Sequence, residues 1–346
     1  MKAVRFHEHG GPEVLRYEDV PEPTPGPAEV TLRVRAVALN HLDIWLRKGL
    51  PGVTVPLPKI GGCDIAGEVV ATGPACRRLS VGERVLVSPG LSCGQCAMCL
   101  RGDDNLCRAY QVIGGYRLDG GCAELVCVPE VNCIPIPAPL DFASAAAIPV
   151  TFLTAWNMLV RQARLQPGEM VLVMGAGSGV GTAAIQIAKL ARARVIAVAR
   201  TQDKLARAAG LGADTGILAD RPDFAQEIRR LTEKRGADVV FDHIGGATWE
   251  TLVPLVATGG RLVTCGATAG YEARVDLRYL FSKSIAILGA FMGRKADLLE
   301  IVRSVAEGAL RPVVDRTLPL SACAEGHRLL EQRAVFGKIV LLPGER

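Results

Sequence analysis

Two hydrophobic patterns follow one another along the chain. In the first third, short segments alternate apolar and polar residues, most clearly at 30–37, which suits a strand with one buried face. Further short strands are predicted at 68–71 and 84–87, between glycine and proline turns. From about residue 150, wholly apolar segments alternate with helical patterns. The first pattern predicts a barrel-like β domain, and the second a parallel sheet covered by helices on both faces.

The elements predicted after residue 150 alternate regularly. Strands are expected at 170–174, 195–199, 237–241, 261–264, 284–291 and 337–342. Helices are expected at 179–191, from Thr201 onward, at 249–257 and at 296–307.

Composition narrows the classes of protein to consider. Of 346 residues, 49% are apolar and 22% are charged, which excludes a disordered chain and suggests about two domains. No apolar segment approaches the ~18 residues that span a bilayer, so no membrane association is expected. The net charge of +5 comes without a dense basic face, so we expect no nucleic-acid partner. No secretory signal is recognisable, and a cytoplasmic protein is expected.

Four of the eleven cysteines form one cluster. Cys93, Cys96, Cys99 and Cys107 lie within fifteen residues, separated by turn residues such as glycine. An odd cysteine count in a cytoplasmic chain argues against a disulfide framework. Four thiolates at this spacing can hold one tetrahedral zinc and leave no ligand position for water, which predicts a structural Zn²⁺. An iron–sulfur cluster and unrelated free thiols are the alternatives.

A glycine-rich loop follows the strand predicted at 170–174 and precedes a predicted helix. In this context backbone N–H groups and the helix N-terminus can receive a dinucleotide pyrophosphate. The alternative is a simple strand-to-helix turn. The predicted cofactor-binding residues of the loop are Gly175, Gly177, Ser178, Gly179, Val180 and Gly181.

The end of the strand predicted at 195–199 helps to distinguish binding of NAD(H) from binding of NADP(H). NAD-binding folds usually carry an acidic residue there for the ribose hydroxyls, whereas this chain has Arg200, Thr201 and Lys204. Two cations and a hydroxyl suit a 2′-phosphate, which predicts that NADP(H) is preferred over NAD(H). The alternative is that Arg200 stacks on the adenine or points to solvent.

With these motifs the chain resembles the medium-chain dehydrogenase/reductase superfamily, which holds zinc alcohol dehydrogenases and quinone or enoyl reductases. Further matches are 40–43 (Asn-His-Leu-Asp) and 62–67 (Gly-Cys-Asp-Ile-Ala-Gly). The resemblance implies a chaperonin-10-like β domain at 1–150 with a zinc lobe at about 90–110, and a doubly wound Rossmann domain at 151–288. It also implies a segment at 289–346 that returns to the first domain, and an active site in the cleft between domains.

Several departures from the zinc alcohol dehydrogenases concern their catalytic metal. Those enzymes usually carry cysteine at the position of Asn40, His-Glu at Cys63-Asp64, and a third ligand near Val150. Their proton-relay hydroxyl aligns with Leu42. The resemblance therefore implies a zinc-independent centre, with Asn40, His41 and Asp43 as catalytic residues beside the nicotinamide. An unusual metal site formed by Cys63, Asp64, His41 and Asp43 stays open as an alternative.

Other residues at strand ends are weaker candidates. Gly245 and Gly266 are predicted to contact the cofactor, and His243 is expected to be structural. The segment 149–155 resembles the family stretch that opens the helix near the nicotinamide, which implies that Thr154 also contacts the cofactor.

The predicted function is hydride transfer between a nicotinamide and a small electrophile such as a quinone, enone or enoyl thioester. The alternatives are alcohol–carbonyl interconversion and a non-catalytic NADPH-binding sensor. A homodimer is expected to form through the apolar edge strand at 284–291, with a tetramer as the alternative.

Overall fold

The computed structural model describes residues 1–344 and divides them into two compact units. Unit 1 contains Met1–Val150 and the chain from Arg294 onward, and unit 2 contains Thr151–Gly293. Within residues 1–344, the structure has no helix of the length and hydrophobicity that crossing a membrane requires.

The first 150 residues form mainly antiparallel strands. In the longest of them, Leu32, Val34 and Ala36 are buried while Arg33 and Arg35 are exposed, so the predicted alternation is present. The strands are β1 (Lys2–Phe6), β2 (Arg16–Asp19), β3 (Glu29–Ala38), β4 (Lys59–Ile60), β5 (Asp64–Thr72), β6 (Arg84–Val87), β7 (Gly90–Leu91), β8 (Gln111–Val112), β9 (Leu125–Pro129) and β10 (Cys133–Pro135). The helices are α1 (His41–Lys48), α2 (Ala97–Leu100), α3 (Phe142–Ala146) and α4 (Pro149–Trp156), the last of which crosses into unit 2.

Unit 2 is a parallel six-stranded sheet in the order β13-β12-β11-β14-β15-β16. Its central strands are buried and wholly apolar, as expected where helices cover both faces of a sheet. The strands are β11 (Met170–Val173), β12 (Arg194–Ala199), β13 (Thr215–Leu218), β14 (Ala237–Asp242), β15 (Val256–Thr264) and β16 (Ala286–Gly289). The helices are α5 (Gly179–Leu190), α6 (Gln202–Ala209), α7 (Phe224–Leu231), α8 (Thr248–Leu252) and α9 (Leu277–Lys283).

The last segment completes the large sheet of unit 1. It contains α10 (Lys295–Ala306), β17 (Val314–Pro319), α11 (Cys323–Glu331) and β18 (Lys338–Leu342). Strand β18 pairs with β3 and with β17, giving the order β10-β6-β5-β3-β18-β17 with β9 on β3. The first residue of β18 therefore lies near the end of β3.

The predicted combination of a β domain and a parallel, doubly wound sheet is confirmed. The helix predicted at 249–257 is wrong in its second half: α8 ends at Leu252, a short 3-10 turn containing Pro254 follows, and β15 begins at Val256. Unit 1 resumes at Arg294, five residues after the predicted boundary at 289, and β16 pairs with β15 as far as Gly289.

Candidate functional site

The glycine loop of unit 2 joins β11 to α5 in a conformation that glycine permits. Gly175 has a φ of +60°, and a Cβ on Gly181 would lie 2.4 Å from the Gly175 carbonyl oxygen. Ser178 caps α5, since its Oγ accepts a hydrogen bond of 2.9 Å from the Gly181 N–H. The N–H groups of Gly179 and Val180 lie in the first turn, where the helix itself offers no acceptor. The loop can therefore receive an anion such as a pyrophosphate.

The neighbouring loops bring most of the other predicted cofactor residues to the same edge of the sheet. Gly245 follows β14, where its N–H donates to Asp242 Oδ2 over 3.0 Å, and Gly266 follows β15. Arg200 is exposed at the end of β12, and Thr201 caps α6 by accepting from the Lys204 N–H. The exception is Thr154, which is buried within α4. Carboxyl ends of parallel strands are where such sheets bind ligands.

The four clustered cysteines of unit 1 converge as their spacing predicts. Their sulfur atoms all lie within 4.8 Å of one another, with Cys96 and Cys99 3.5 Å apart and Cys93 and Cys99 3.9 Å apart. A tetrahedral zinc with bonds of ~2.3 Å requires sulfur separations of about 3.8 Å. The backbone N–H of Cys99 is the main cause that lowers the pKa of Cys96 to about 6. The lobe fits one structural zinc, because no ligand position is left for water.

A second polar cluster of unit 1 forms where β3, β5 and β18 end or begin. Lys338 opens β18, and its Nζ lies 2.6 Å from Asn40 Oδ1 and 2.8 Å from Asp64 Oδ2. The Asn40 Nδ2 donates to Asp64 Oδ2 over 2.9 Å and approaches Cys63 Sγ at 3.4 Å. The Val150 N–H donates to Asp64 Oδ1 over 2.8 Å. Asp64 and Lys338 are almost fully buried, so this is an internal ion pair with an amide bound to both partners.

Burial also acts on the thiol in this cluster. It raises the pKa of Cys63 well above its usual value, and the neighbouring Asp64 acts in the same direction. Cys63 is therefore a neutral thiol in this arrangement.

Asp43 has a structural role at the start of α1. Its carboxylate is buried and accepts hydrogen bonds from the N–H groups of Asn40 (2.7 Å) and Gly62 (2.9 Å). With Asn40 it forms the capping box that begins α1, and burial raises the pKa of this carboxyl group. The structure therefore makes Asp43 a structural cap. His41 is the first residue of α1, is partly exposed and packs its ring near Trp45.

The chain matches two family models. Residues 26–138 match the alcohol dehydrogenase GroES-like domain, and residues 179–307 match the zinc-binding dehydrogenase domain. A solved structure described as an NAD-dependent alcohol dehydrogenase has a TM-score of 0.96 and is 51% identical, covering 99% of this chain and 100% of that one. The quinone oxidoreductase of Pseudomonas aeruginosa and the acryloyl-coenzyme A reductase of Metallosphaera sedula are each 32% identical over 99% of both chains.

The chain belongs to the medium-chain dehydrogenase/reductase superfamily. It is therefore an NAD(P)-dependent oxidoreductase, and its relatives act on small molecules. The names of these relatives differ in substrate, so the chemistry must be argued from this chain's own residues.

The catalytic zinc of the superfamily's alcohol dehydrogenases does not fit the residues present here. The resemblance to those enzymes would place their ligand positions at Asn40, Cys63 and Val150, of which only Cys63 is a good zinc ligand. The Asn40 and Asp64 oxygens are already bonded to the Lys338 ammonium. Among residues 1–344, the four-cysteine lobe is the one group of three or more ligand side chains close enough to hold a metal.

Sequence reasoning missed Lys338. A signal was present, since a lysine opens the otherwise apolar segment 338–342, and a charge in such a strand requires a partner. That the partners are Asp64 and Asn40 depends on the pairing of β18 with β3, which links residues about 300 positions apart.

Proposed function

We propose that this enzyme is an NADPH-linked reductase that adds hydride to an electrophilic carbon of a quinone, an enone or an enoyl thioester. The observation that carries the proposal is the Lys338 ammonium bonded to both Asn40 Oδ1 and Asp64 Oδ2. The positively charged group of the Asn40–Asp64–Lys338 cluster is therefore a side chain of the protein itself. A polarised alkene or quinone already has an electrophilic carbon and needs no Lewis acid to accept hydride.

Cofactor binding is assigned to unit 2. The Gly179 and Val180 N–H groups would receive the pyrophosphate, and Arg200 with Lys204 would bind the 2′-phosphate. Arg200 is exposed at a strand end, where an acidic residue would repel that phosphate. When bound, NADPH supplies the hydride.

Polarisation of the substrate is assigned to unit 1. Hydride addition leaves negative charge on a substrate oxygen, and preorganised donors lower the energy of that charge. We assign the direct contact to His41, the first residue of α1, whose side chain is partly exposed. The Lys338–Asp64 ion pair, with Asn40 bonded to both partners, would act beside it as a fixed polar cluster.

The test is a steady-state panel of NADPH oxidation. Quinones, enones and enoyl thioesters should be reduced, and aldehydes and ketones should react poorly. His41→Ala should lower kcat by about 10²–10³ with unchanged NADPH affinity, whereas His7→Ala, an exposed histidine paired with Glu18, should not. Turnover confined to aldehydes and ketones would reject the proposal.

Alcohol–carbonyl interconversion is the second candidate, because the 51% identical structure is described as an NAD-dependent alcohol dehydrogenase. This alternative predicts a second, functional metal at Cys63 and Asp64. It also predicts oxidation of alcohols with NAD⁺.

A homodimer with one structural zinc in each chain completes the proposal. Strand β16 is the last strand of its sheet, and Phe291 just beyond it is 56% exposed. An apolar edge strand is commonly paired or covered. This supports pairing of β16 with a second copy of the chain.

A further inference from the structure

His243 lies against the glycine loop. It follows β14, which pairs with β11 through Val173 and Phe241, and β11 leads into that loop. A Cβ on Gly175 would lie 2.7 Å from His243 Nε2, so the ring can approach this closely because residue 175 is glycine.

A chain of two hydrogen bonds connects this ring to the first turn of α5. His243 Nε2 lies 3.0 Å from Ser178 Oγ, and that oxygen accepts from the Gly181 N–H over 2.9 Å. The Ser178 hydroxyl has one hydrogen, and it donates to Nε2 when the neutral ring carries its own hydrogen on Nδ1. A proton on Nε2 would reverse this bond and free the Ser178 hydrogen to bind an anion at the loop.

We propose that His243 is a positioning residue of the nucleotide-binding loop, which acts through Ser178 and makes nucleotide affinity depend on pH. The inference rests on the proposed binding of a dinucleotide diphosphate at this loop. The ring holds Ser178 in the rotamer that caps α5, and it thereby orients the Gly179 and Val180 N–H groups. It takes up a proton when the negatively charged diphosphate binds beside it.

The groups around the His243 ring determine whether nucleotide affinity rises or falls with pH. Burial lowers the pKa of His243, while Asp242 and the carbonyl groups of Met174 and Gly175 oppose that shift, so the ring is neutral in the free protein near pH 7. The Asp242 carboxylate already accepts from Ile244 N, Gly245 N and Trp249 Nε1.

Two uncharged side chains contact the ring: the Phe241 ring packs edge-on against it, and Ser178 Oγ lies 3.0 Å from Nε2. Cys265 follows β15, and burial raises the pKa of its thiol to about 12. A bound diphosphate therefore adds negative charge beside a neutral imidazole and raises its pKa.

This rise in the pKa of His243 sets the direction in which nucleotide affinity changes with pH. A group whose pKa is higher in the complex strengthens binding at low pH, and the gain is lost as pH rises through the bound-state pKa. A His243 pKa that is one unit higher in the complex strengthens nucleotide binding at low pH by up to about tenfold. We expect affinity to increase roughly threefold to tenfold from pH 8 to pH 5.5.

The experiment is calorimetric titration with ADP-ribose between pH 5.5 and 8.5. ADP-ribose has the diphosphate but no 2′-phosphate, whose own titration near pH 6 would mask the effect. His243→Asn should abolish the pH dependence while keeping the affinity at pH 8 within about threefold, since an amide can still bond Ser178. Ser178→Gly should weaken binding at all pH values, and the control His7→Asn should behave as wild type.

A measurement on the unmodified protein makes the test independent of variant folding. The imidazole C–H resonances of the five histidines can be followed against pH by NMR, and His243→Gln assigns the relevant signal. One resonance should titrate at higher pH when ADP-ribose is present. An unchanged His243 titration, or pH dependence that persists in His243→Asn, would overturn the proposal. Because the readout is binding, a negative turnover panel would leave this result intact.

Discussion

Replacing Lys338 with methionine removes the ammonium from the buried cluster and keeps most of the side-chain volume. The ion pair with Asp64 has an Nζ–Oδ2 distance of 2.8 Å, and its side chains are 4% and 0% exposed, so solvent screening is weak. Breaking one partner of a buried pair typically costs about 3–5 kcal/mol, because the other charge is left uncompensated. Asp64 keeps hydrogen bonds from Asn40 Nδ2 and Val150 N, which favours the lower end, about 3 kcal/mol.

A double-mutant cycle with Asp64→Asn tests whether the charge itself causes this loss. Asparagine can still accept from the Val150 N–H but carries no charge. The free energy of unfolding of Lys338→Met/Asp64→Asn should therefore be about 2 kcal/mol higher than that of Lys338→Met. Arg303→Met is the matched control, since its pair with Glu300 is largely exposed and should contribute less than about 1 kcal/mol.

Urea unfolding of the wild type, the three variants of the cycle and the control gives these free energies directly. The same preparations should bind NADPH normally, with Lys338→Met turnover lowered and partly restored by Lys338→Arg. The reasoning is refuted if Lys338→Met costs no more than Arg303→Met, or if the double variant is no more stable than Lys338→Met.

Three further predictions concern the other assigned groups. Cys96→Ser/Cys99→Ser should lose the structural zinc and unfold more easily, measured by metal analysis and thermal melting; full zinc retention would contradict the lobe assignment. Arg200→Ala should lower the NADPH/NADH affinity ratio about tenfold to a hundredfold, equivalent to ~1.5–3 kcal/mol, measured by fluorescence titration; an unchanged ratio would show that Arg200 is not the discriminator. Light scattering at micromolar concentration should give a homodimer, and a monomer would reject pairing through β16.

Much of the fold could be predicted from local patterns. The apolar strand at β11, the glycine loop and the cap Thr201 each carry a local signal, and the structure has them where they were expected. The helix at 249–257 was overextended, because its apolar residues suit a helix and a buried strand equally well. Pro254 was the signal that a helix could not continue.

The candidate site was less accessible to sequence reasoning. The cysteine lobe lies within one short segment, so its spacing alone predicts the convergence of its thiols. The Asn40–Asp64–Lys338 cluster joins three distant segments, and its partners follow from strand pairing that no local pattern encodes. The catalytic role of Asp43 is predicted through the family resemblance, whereas its position three residues after Asn40 is the local signal for the capping box that the structure has.

We propose that the reacting centre works with the Lys338 ammonium and without zinc. The direct measurement is the zinc content of the active enzyme, determined together with its turnover of a quinone or enone before and after exhaustive chelation. We expect one zinc per chain, held by Cys93, Cys96, Cys99 and Cys107, and activity that does not depend on a second ion. Two zinc ions per chain, with activity lost on removal of one and restored by adding it back, would contradict a zinc-independent centre.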